Sequence, residues 1–476
     1  MGISGQNDGG KRSALSALAS RFGDALSMGE AVRQAHGHDE SYHPAALPDA
    51  VLFAKTRDDV VDAVRLCHEH RLPIIAYGTG TGLEGHVSAV HGGLSIDLSE
   101  MNQILRVSPE DMDCTIEAGV TRLQLNSHLR DTGLFFPIDP GVDASIGGMT
   151  ATRASGTNAV RYGTMRENVI ALTAILADGR VIKTANRARK SAAGYDLTKL
   201  FVGSEGTLGI ITDITLRLHG IPEAISSAIC TFPSIAAAME TVITTIQAGI
   251  PVARVEFLDE VQVAACNRFS GLSLKETPTL FFEFHGSHAS VGEQAESVQT
   301  IALGAGGENF DWATDPERRA SLWRARHDAL YASKALRPGA VVWATDVCVP
   351  ISHLGECLIK TKEDIAASGL TAPIVGHVGD GNFHVTFVLD PERPAEFAIA
   401  KEVNSRMVER AIALEGTSTG EHGVGVGKIG YMDAEHGDAI DVMWQLKQAL
   451  DPRNLLNPGK ILPVRGGFPR GVSYAE

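Results

Sequence analysis

Two histidines, His377 and His384, face each other across a Gly-Asp-Gly-Asn centre in the stretch Gly376-His377-Val378-Gly379-Asp380-Gly381-Asn382-Phe383-His384. Imidazoles at the ends of adjoining strands can converge on one metal ion, though a pair supplies only two ligands. A second imidazole-bearing motif, Glu421-His422, is framed by Gly420 and Gly423 further along the chain. Any single one of the 17 histidines is most simply a surface or core residue. The symmetric His-turn-His followed by a glycine-framed Glu-His points instead to a site.

The flanking residues say how such a site would be positioned. Pro373-Ile374-Val375 approaches and Val385-Thr386-Phe387-Val388-Leu389 leaves, which predicts two strands joined through a tight turn at Asp380-Gly381. Two glycines in the middle disfavour the helical alternative. Asp380 and Asn382 are expected to shape the turn. Adjacent residues of a strand point to opposite faces, so Glu421 and His422 can share a site only if Gly420 and Gly423 bend the backbone.

A chain of 476 residues predicts two or three domains, each with its own core. Hydrophobic content of 44% and charged content of 21% are those of a soluble globular protein. The 50 glycines are spread through short motifs without a repeat period, which suggests tight loops near a ligand. A net charge of -15 without any long basic run argues against nucleic acid as a partner. No apolar run reaches the roughly 18 residues of a membrane span. The polar, glycine-rich start lacks a secretory signal core, and a mitochondrial presequence is not expected from the acid-bearing stretch after it. The location read from this is cytoplasmic, with peripheral membrane attachment and a mitochondrial location as alternatives. Six cysteines without a Cys-x-x-Cys read as reduced core thiols.

Along the chain, residues 1–44 read as an irregular lead-in with one short helix. Thr56, Asp58 and Asp59 open a helix, and Pro73–Tyr77 is a strand running into Gly78-Thr79-Gly80-Thr81-Gly82-Leu83-Glu84-Gly85. Strands at Leu94–Leu98, Ile104–Val107 and Cys114–Ala118 precede a helix near 121–131. Residues 138–168, rich in Gly, Ser and Thr, read as a long functional loop. A hairpin over Val169–Thr184 and a strand at Ile210–Leu218 follow. Beyond Pro222, strands such as Ala228–Phe232 and Thr279–Phe284 alternate with helices near 233–248, 290–303, 315–335, 351–367 and 394–414, an α+β pattern.

Two nucleotide motifs fail on inspection. Gly80–Gly85 satisfies G-x-G-x-x-G, but the strand at Leu94 leaves no room for the helix that a Rossmann unit needs. What remains is a row of small residues whose backbone amides suit phosphate. Gly423–Lys428 lacks the first glycine of a P-loop, and Ile429 stands where Ser or Thr is required.

The glycine loop 78–85, the segment Asp139–Asn168, Lys190–Leu197 and Gly203–Thr212 together resemble the FAD-binding domain of the vanillyl-alcohol oxidase type of flavoenzymes. His377–His384, Gly420–Gly423 and Asn457-Pro458-Gly459-Lys460 resemble the C-terminal half of its D-2-hydroxy-acid dehydrogenase branch. The likeness runs from about residue 45 to 463 and is strongest to the D-lactate dehydrogenases, notably across Ala154–Thr164 and Asp346–Pro350. It implies an α+β protein with a two-part FAD-binding domain at 45–221 and a cap domain carrying substrate and metal at 222–450. A C-terminal segment, 451–476, would return to the flavin. Gly78, Thr79, Gly80, Thr81 and Gly82 would hold the pyrophosphate. Pro140, Asp143, Ser145, Gly148, Thr152, Ser155 and Gly156 would line the flavin, with Tyr162, Glu205, Gly206, Ile211 and Asn457 nearby. The FAD is expected to be non-covalent: histidyl attachment in the superfamily falls near Thr81, which carries no imidazole. Arg153 and His86 depart from the family pattern, which has a small residue and a glycine there.

The implied reaction oxidises a D-2-hydroxy acid, D-lactate to pyruvate foremost. Hydride goes to the flavin, while the protein must orient a carboxylate and take a hydroxyl proton. A divalent metal, zinc or manganese, on His377, His384 and Glu421 would acidify the hydroxyl. His422 then fits as general base. For the carboxylate, the family's Trp-x-x-Arg pattern in Trp323-Arg324-Ala325-Arg326 selects Arg326. D-2-hydroxyglutarate and glycolate are the competing substrates. Thr386, where the hydroxyglutarate branch tends to carry asparagine, favours a small monocarboxylate. A flavin-free metal-dependent hydrolase and a non-catalytic flavin-binding subunit are the readings from other classes. The expected partners are a small anionic 2-hydroxy acid and an electron acceptor: a cytochrome, a quinone or an electron-transfer flavoprotein. A homodimer is also admitted.

Overall fold

The computed structural model describes residues 4–464; residues 1–3 of the expected lead-in and 465–476 of the expected C-terminal segment lie outside the described residues. The chain forms two compact units. The first takes the chain to Ala154, then Thr164–Gly220, and again from Glu421; the second takes Ser155–Gly163 and Ile221–Gly420. This division differs from the expected one. Packing lends 155–163 to the second unit and returns 421–450 to the first.

In the first unit, Ala50–Phe53, Leu94–Asp97 and Ile74–Tyr77 form a small parallel sheet, with Leu26–Ser27 antiparallel at its edge. The helix Arg57–His70 starts where Thr56 and Asp59 form a capping box, and it buries Val60, Val61, Ala63, Val64 and Cys67. A second, antiparallel sheet runs in the order Ile104–Ser108, Asp113–Glu117, Ile210–Arg217, Val169–Ile175, Val181–Lys183. The lead-in is more ordered than its composition suggests. Ser4–Phe22 is a helix that buries Ala14, Leu18 and Phe22 in the core of this unit. Their spacing of four places them on one face. The segment 138–168 is likewise not one long loop. It folds into short helices at Ile146–Thr152, Ala159–Tyr162 and Met165–Asn168, two of them started by the hydroxyls of Ser145 and Thr164.

The second unit is built on an eight-stranded sheet in the order Glu308–Ala313, Ala224–Thr231, Thr279–Gly286, Val252–Leu258, Ile374–Gly376, Asn382–Leu389, Val341–Ala344, with Val347–Cys348 also pairing Asn382–Leu389. The helix expected over 315–335 is two helices, Pro316–His327 and Ala329–Ala335, broken at Asp328. Trp323, Ala325, Ala329 and Ala332 still face one core with Phe281 and Leu258. The six cysteines are free thiols, five of them buried. No helix among the described residues is long and apolar enough to cross a membrane.

Candidate active site

Ile374–Gly376 and Asn382–Leu389 are antiparallel neighbours, with Val375 opposite His384. A single helical turn, Val378–Asp380, connects them and ends on Gly381 at φ 81°. A Cβ at Gly381 would collide with the carbonyl oxygen of Val349, so both conformation and space require glycine. Asn382 locks the start of the outgoing strand, its Nδ2 donating to Asp346 Oδ1 at 2.6 Å and to Val347 O at 2.8 Å.

This frame brings the two rings together. The centroids of His377 and His384 are 5.3 Å apart and the planes meet at 81°. Each ring is oriented by its Nδ1. That of His377 lies 2.7 and 2.9 Å from the two oxygens of Glu256. That of His384 lies 2.9 Å from the carbonyl of Thr345. Both partners are acceptors, so Nδ1 carries the proton in each ring and Nε2 keeps its lone pair for a metal.

Glu421 is joined to Gly420, the last residue of this unit, by one peptide bond. The segment before it is anchored: Thr417 N–H donates to Cys348 O at 2.8 Å and Thr419 Oγ1 to Asp346 Oδ2 at 2.8 Å. Ligand atoms of His377, His384 and Glu421 all fall within 4.8 Å of one another. His422, next in the chain, is largely buried, with Nε2 3.9 Å from Glu421 Oε1.

Glu256 belongs to none of the motifs; the one sign of it in the sequence is an acid within the mostly apolar strand Val252–Leu258. It is fully buried and also accepts Arg326 Nε at 2.6 Å. Burial would raise its pKa, but His377 and Arg326 outweigh that and hold the carboxyl below its ordinary range. Arg326, expected at a substrate carboxylate, is therefore one carboxylate away from His377. Its helix is held by Trp323, whose Nε1 donates to Ser227 Oγ at 3.0 Å.

In the first unit, the strand Ile74–Tyr77 delivers the glycine loop to a cavity of about 60 Å³. Gly78, Ser145, Gly148, Gly206 and Ile211 line it, together with Ala76, Ala118, Gly147 and Gly209, which the motif reading missed. A Cβ on Gly78 would collide with Ser145 Oγ. Gly80 has φ 66°, and a Cβ on Gly82 would stand 2.7 Å from His86 Nδ1. Thr79 and Thr81 hydroxyls are 3.2 Å apart, and Thr79 also accepts Ser145 N–H at 3.4 Å.

Other expected cofactor residues have structural work. Asp143 accepts Leu123 N–H at 2.9 Å, capping the helix Arg122–Leu129. Thr152 Oγ1 donates to Gly148 O at 3.2 Å, and Pro140 is half-buried. Ser155, Gly156 and Tyr162 pack with the second unit. Tyr162 OH lies 2.8 Å from His285 Nδ1, and His285 Nε2 lies 2.9 Å from Glu283. Asn457 Nδ2 straps two loops, donating to Glu205 O at 2.7 Å and His86 O at 3.1 Å. The guanidinium of Arg153 donates to Val202 O. His86 is buried between Asp39 and Glu205, at 3.9 and 3.6 Å. Burial would lower its pKa, but Glu205, Asp39 and Glu84 raise it on balance.

Residues 48–185 match the family described as FAD binding domain, and residues 221–461 match FAD linked oxidases, C-terminal domain. A probable mitochondrial D-lactate dehydrogenase of Danio rerio is 54% identical over 455 residues, covering 94% of this chain and 92% of that protein. A mitochondrial D-lactate dehydrogenase (cytochrome) of Arabidopsis thaliana is 47% identical over 452 residues, covering 94% and 80%. Among solved structures, p-cresol methylhydroxylase with substrate bound shares the fold at a TM-score of 0.77, covering 97% of this chain and 98% of that one at 18% identity.

Proposed function

This chain belongs to the FAD-linked oxidases, and on that premise we propose that it is an FAD-dependent D-2-hydroxy-acid dehydrogenase that oxidises D-lactate to pyruvate. The observation that carries the substrate is the near-full-length likeness to proteins named D-lactate dehydrogenases. The buried Thr386, two residues beyond His384 on the same strand face, agrees with a small monocarboxylate.

The residues present fit the close approach of a cofactor such as FAD: small side chains line the cavity, and the glycine loop that leads to it offers backbone amides to a pyrophosphate. Held by these residues without a covalent link, FAD would supply the hydride acceptor. The donor set of two imidazole Nε2 atoms and the Glu421 carboxylate suits zinc or manganese, which would acidify the substrate hydroxyl. Glu256 holds the His377 ring so that Nε2 faces the site. Arg326 orients the substrate carboxylate, and a guanidinium suits that task because it matches carboxylate geometry. His422 accepts the hydroxyl proton on its imidazole as hydride leaves C2.

The partners of this reading are a small anionic 2-hydroxy acid and an electron acceptor, a cytochrome being favoured by the name of the Arabidopsis relative. The cytoplasmic expectation stands beside the mitochondrial location that both relatives' names print, and fractionation separates the two. Family membership counts against the flavin-free hydrolase. Anaerobic mixing of FAD-loaded protein with D-lactate tests the reading. Bleaching of the oxidised-flavin bands with the D isomer and none with the L isomer is expected; no bleaching with D-lactate would overturn it.

A further inference from the structure

The turn that follows His422 is held by one carboxylate of the same unit. Glu205 Oε1 accepts the backbone N–H of Val424 at 2.7 Å, and Oε2 accepts that of Gly425 at 2.9 Å. Glu205 is itself fastened on both sides. Its N–H donates to Ala151 O at 2.8 Å, and its carbonyl accepts Asn457 Nδ2 at 2.7 Å. Its backbone sits in the left-handed region, φ 50°, which a non-glycine residue adopts only when its surroundings impose it.

The turn is shaped to wrap this carboxylate. Gly423 and Gly425 have φ of 83° and 48°. A Cβ on Gly423 would stand 2.7 Å from Glu205 Oε1 and 2.8 Å from His86 Nε2. A Cβ on Gly425 would collide with the Glu84 carbonyl, which accepts Val426 N–H at 2.8 Å. Hydrogen bonds to an ionised acceptor are about twice as strong as neutral ones, so the turn cannot shift without loosening two of them.

We propose that Glu205 is a positioning residue for the oxidation, holding the backbone at 424–425 and through it the imidazole of His422. The role rests on the reading of His422 as the base. Glu205 touches neither proton nor hydride in this scheme. It sets the geometry from which His422 takes the proton, and an error of 1 Å in such geometry costs about 100-fold.

Stopped-flow flavin reduction by D-lactate, on FAD-loaded protein, tests this with a double-mutant cycle of Glu205→Gln and His422→Ala. Glutamine keeps the shape but presents an NH₂ group to one of the two amides. Reduction is expected to slow about 10- to 100-fold in Glu205→Gln, with the D-lactate dissociation constant unchanged. In the His422→Ala background the same substitution should cost nothing further. Equal slowing in both backgrounds, or no slowing in either, would overturn the proposal. A wild-type rate for His422→Ala alone would instead overturn the base on which it rests. If Glu205→Gln does not load FAD, Gly423→Ala leaves the carboxylate intact and displaces the turn. It is expected to slow reduction only while His422 is present, and slowing without His422 would overturn the proposal.

Discussion

The carboxylate of Glu256 meets Nδ1 of His377 at 2.7 Å across 121 residues of sequence, and both groups are buried. One acid thus orients a metal-ligand candidate and neutralises Arg326.

Glu256→Gln is expected to weaken divalent-metal affinity by about 10- to 100-fold, the usual cost of losing such an orienting partner. Titration calorimetry of the chelator-stripped protein with zinc or manganese measures it. Affinity equal to wild type would remove the orienting role. Wild-type protein that binds neither ion would remove the metal site itself.

Truncating Glu256 to alanine leaves Arg326 beside His377 without its carboxylate. Breaking one side of a buried ion pair costs about 3–5 kcal/mol. Glu256→Gln also removes the charge but still accepts one hydrogen bond, so urea denaturation should show a large loss for both variants, somewhat larger for Glu256→Ala. Negligible losses in both variants would mean that the pair carries little of the local stability.

Arg326→Lys keeps a cation but not the planar fork, whereas Arg326→Ala loses both. If the residue orients the substrate carboxylate, a charge-assisted bond of about 1.5–3 kcal/mol is at stake, or roughly 10- to 100-fold in KM. D-Lactate KM should rise least in the lysine variant and most in the alanine variant. An unchanged KM in both would return Arg326 to a structural role.

Gly381→Ala tests the turn between the histidines. Its φ of 81° disfavours a side chain, and the Val349 carbonyl occupies the space. A cost of at least about 1–3 kcal/mol follows from the conformation alone. Thermal melts should show it, together with weakened metal binding.

The His86–Glu205 pair predicts a pH window for stability. Glu205 has a depressed folded pKa, so its contribution is present above its ordinary value of 4.5 and is lost as pH falls through the folded value. His86 has a raised folded pKa, so its contribution is complete below 6.5 and is lost as pH rises through the folded value. The pair should stabilise most between those two pH values. His86→Gln should flatten the alkaline-side decline of Tm; an unaltered decline would assign it to other groups.

Much of the fold was legible. The strand-turn-strand around His377 and His384, the capped helix at Thr56 and the hairpin at 169–184 follow from local patterns, and the structure has each of them. The lead-in carries the expected helix, but at 19 residues it is longer than expected, because its buried face rests on only three residues, Ala14, Leu18 and Phe22, amid glycine and polar neighbours. The segment 138–168 hid its helices because each is barely more than a turn or two and is set by a cap rather than by periodicity.

The sequence by itself determined which residues could do chemistry and which backbone they required: imidazoles on either side of a glycine turn, a glycine-framed Glu-His pair, a loop without bulky side chains. Only the tertiary structure decided who supports them. Glu256 reaches His377, and Glu205 reaches Val424 across 219 residues, because packed strands and turns bring those groups together. No periodicity or spacing encodes a hydrogen bond between residues so far apart. It exists only once burial has excluded water and left each polar group to find its partner.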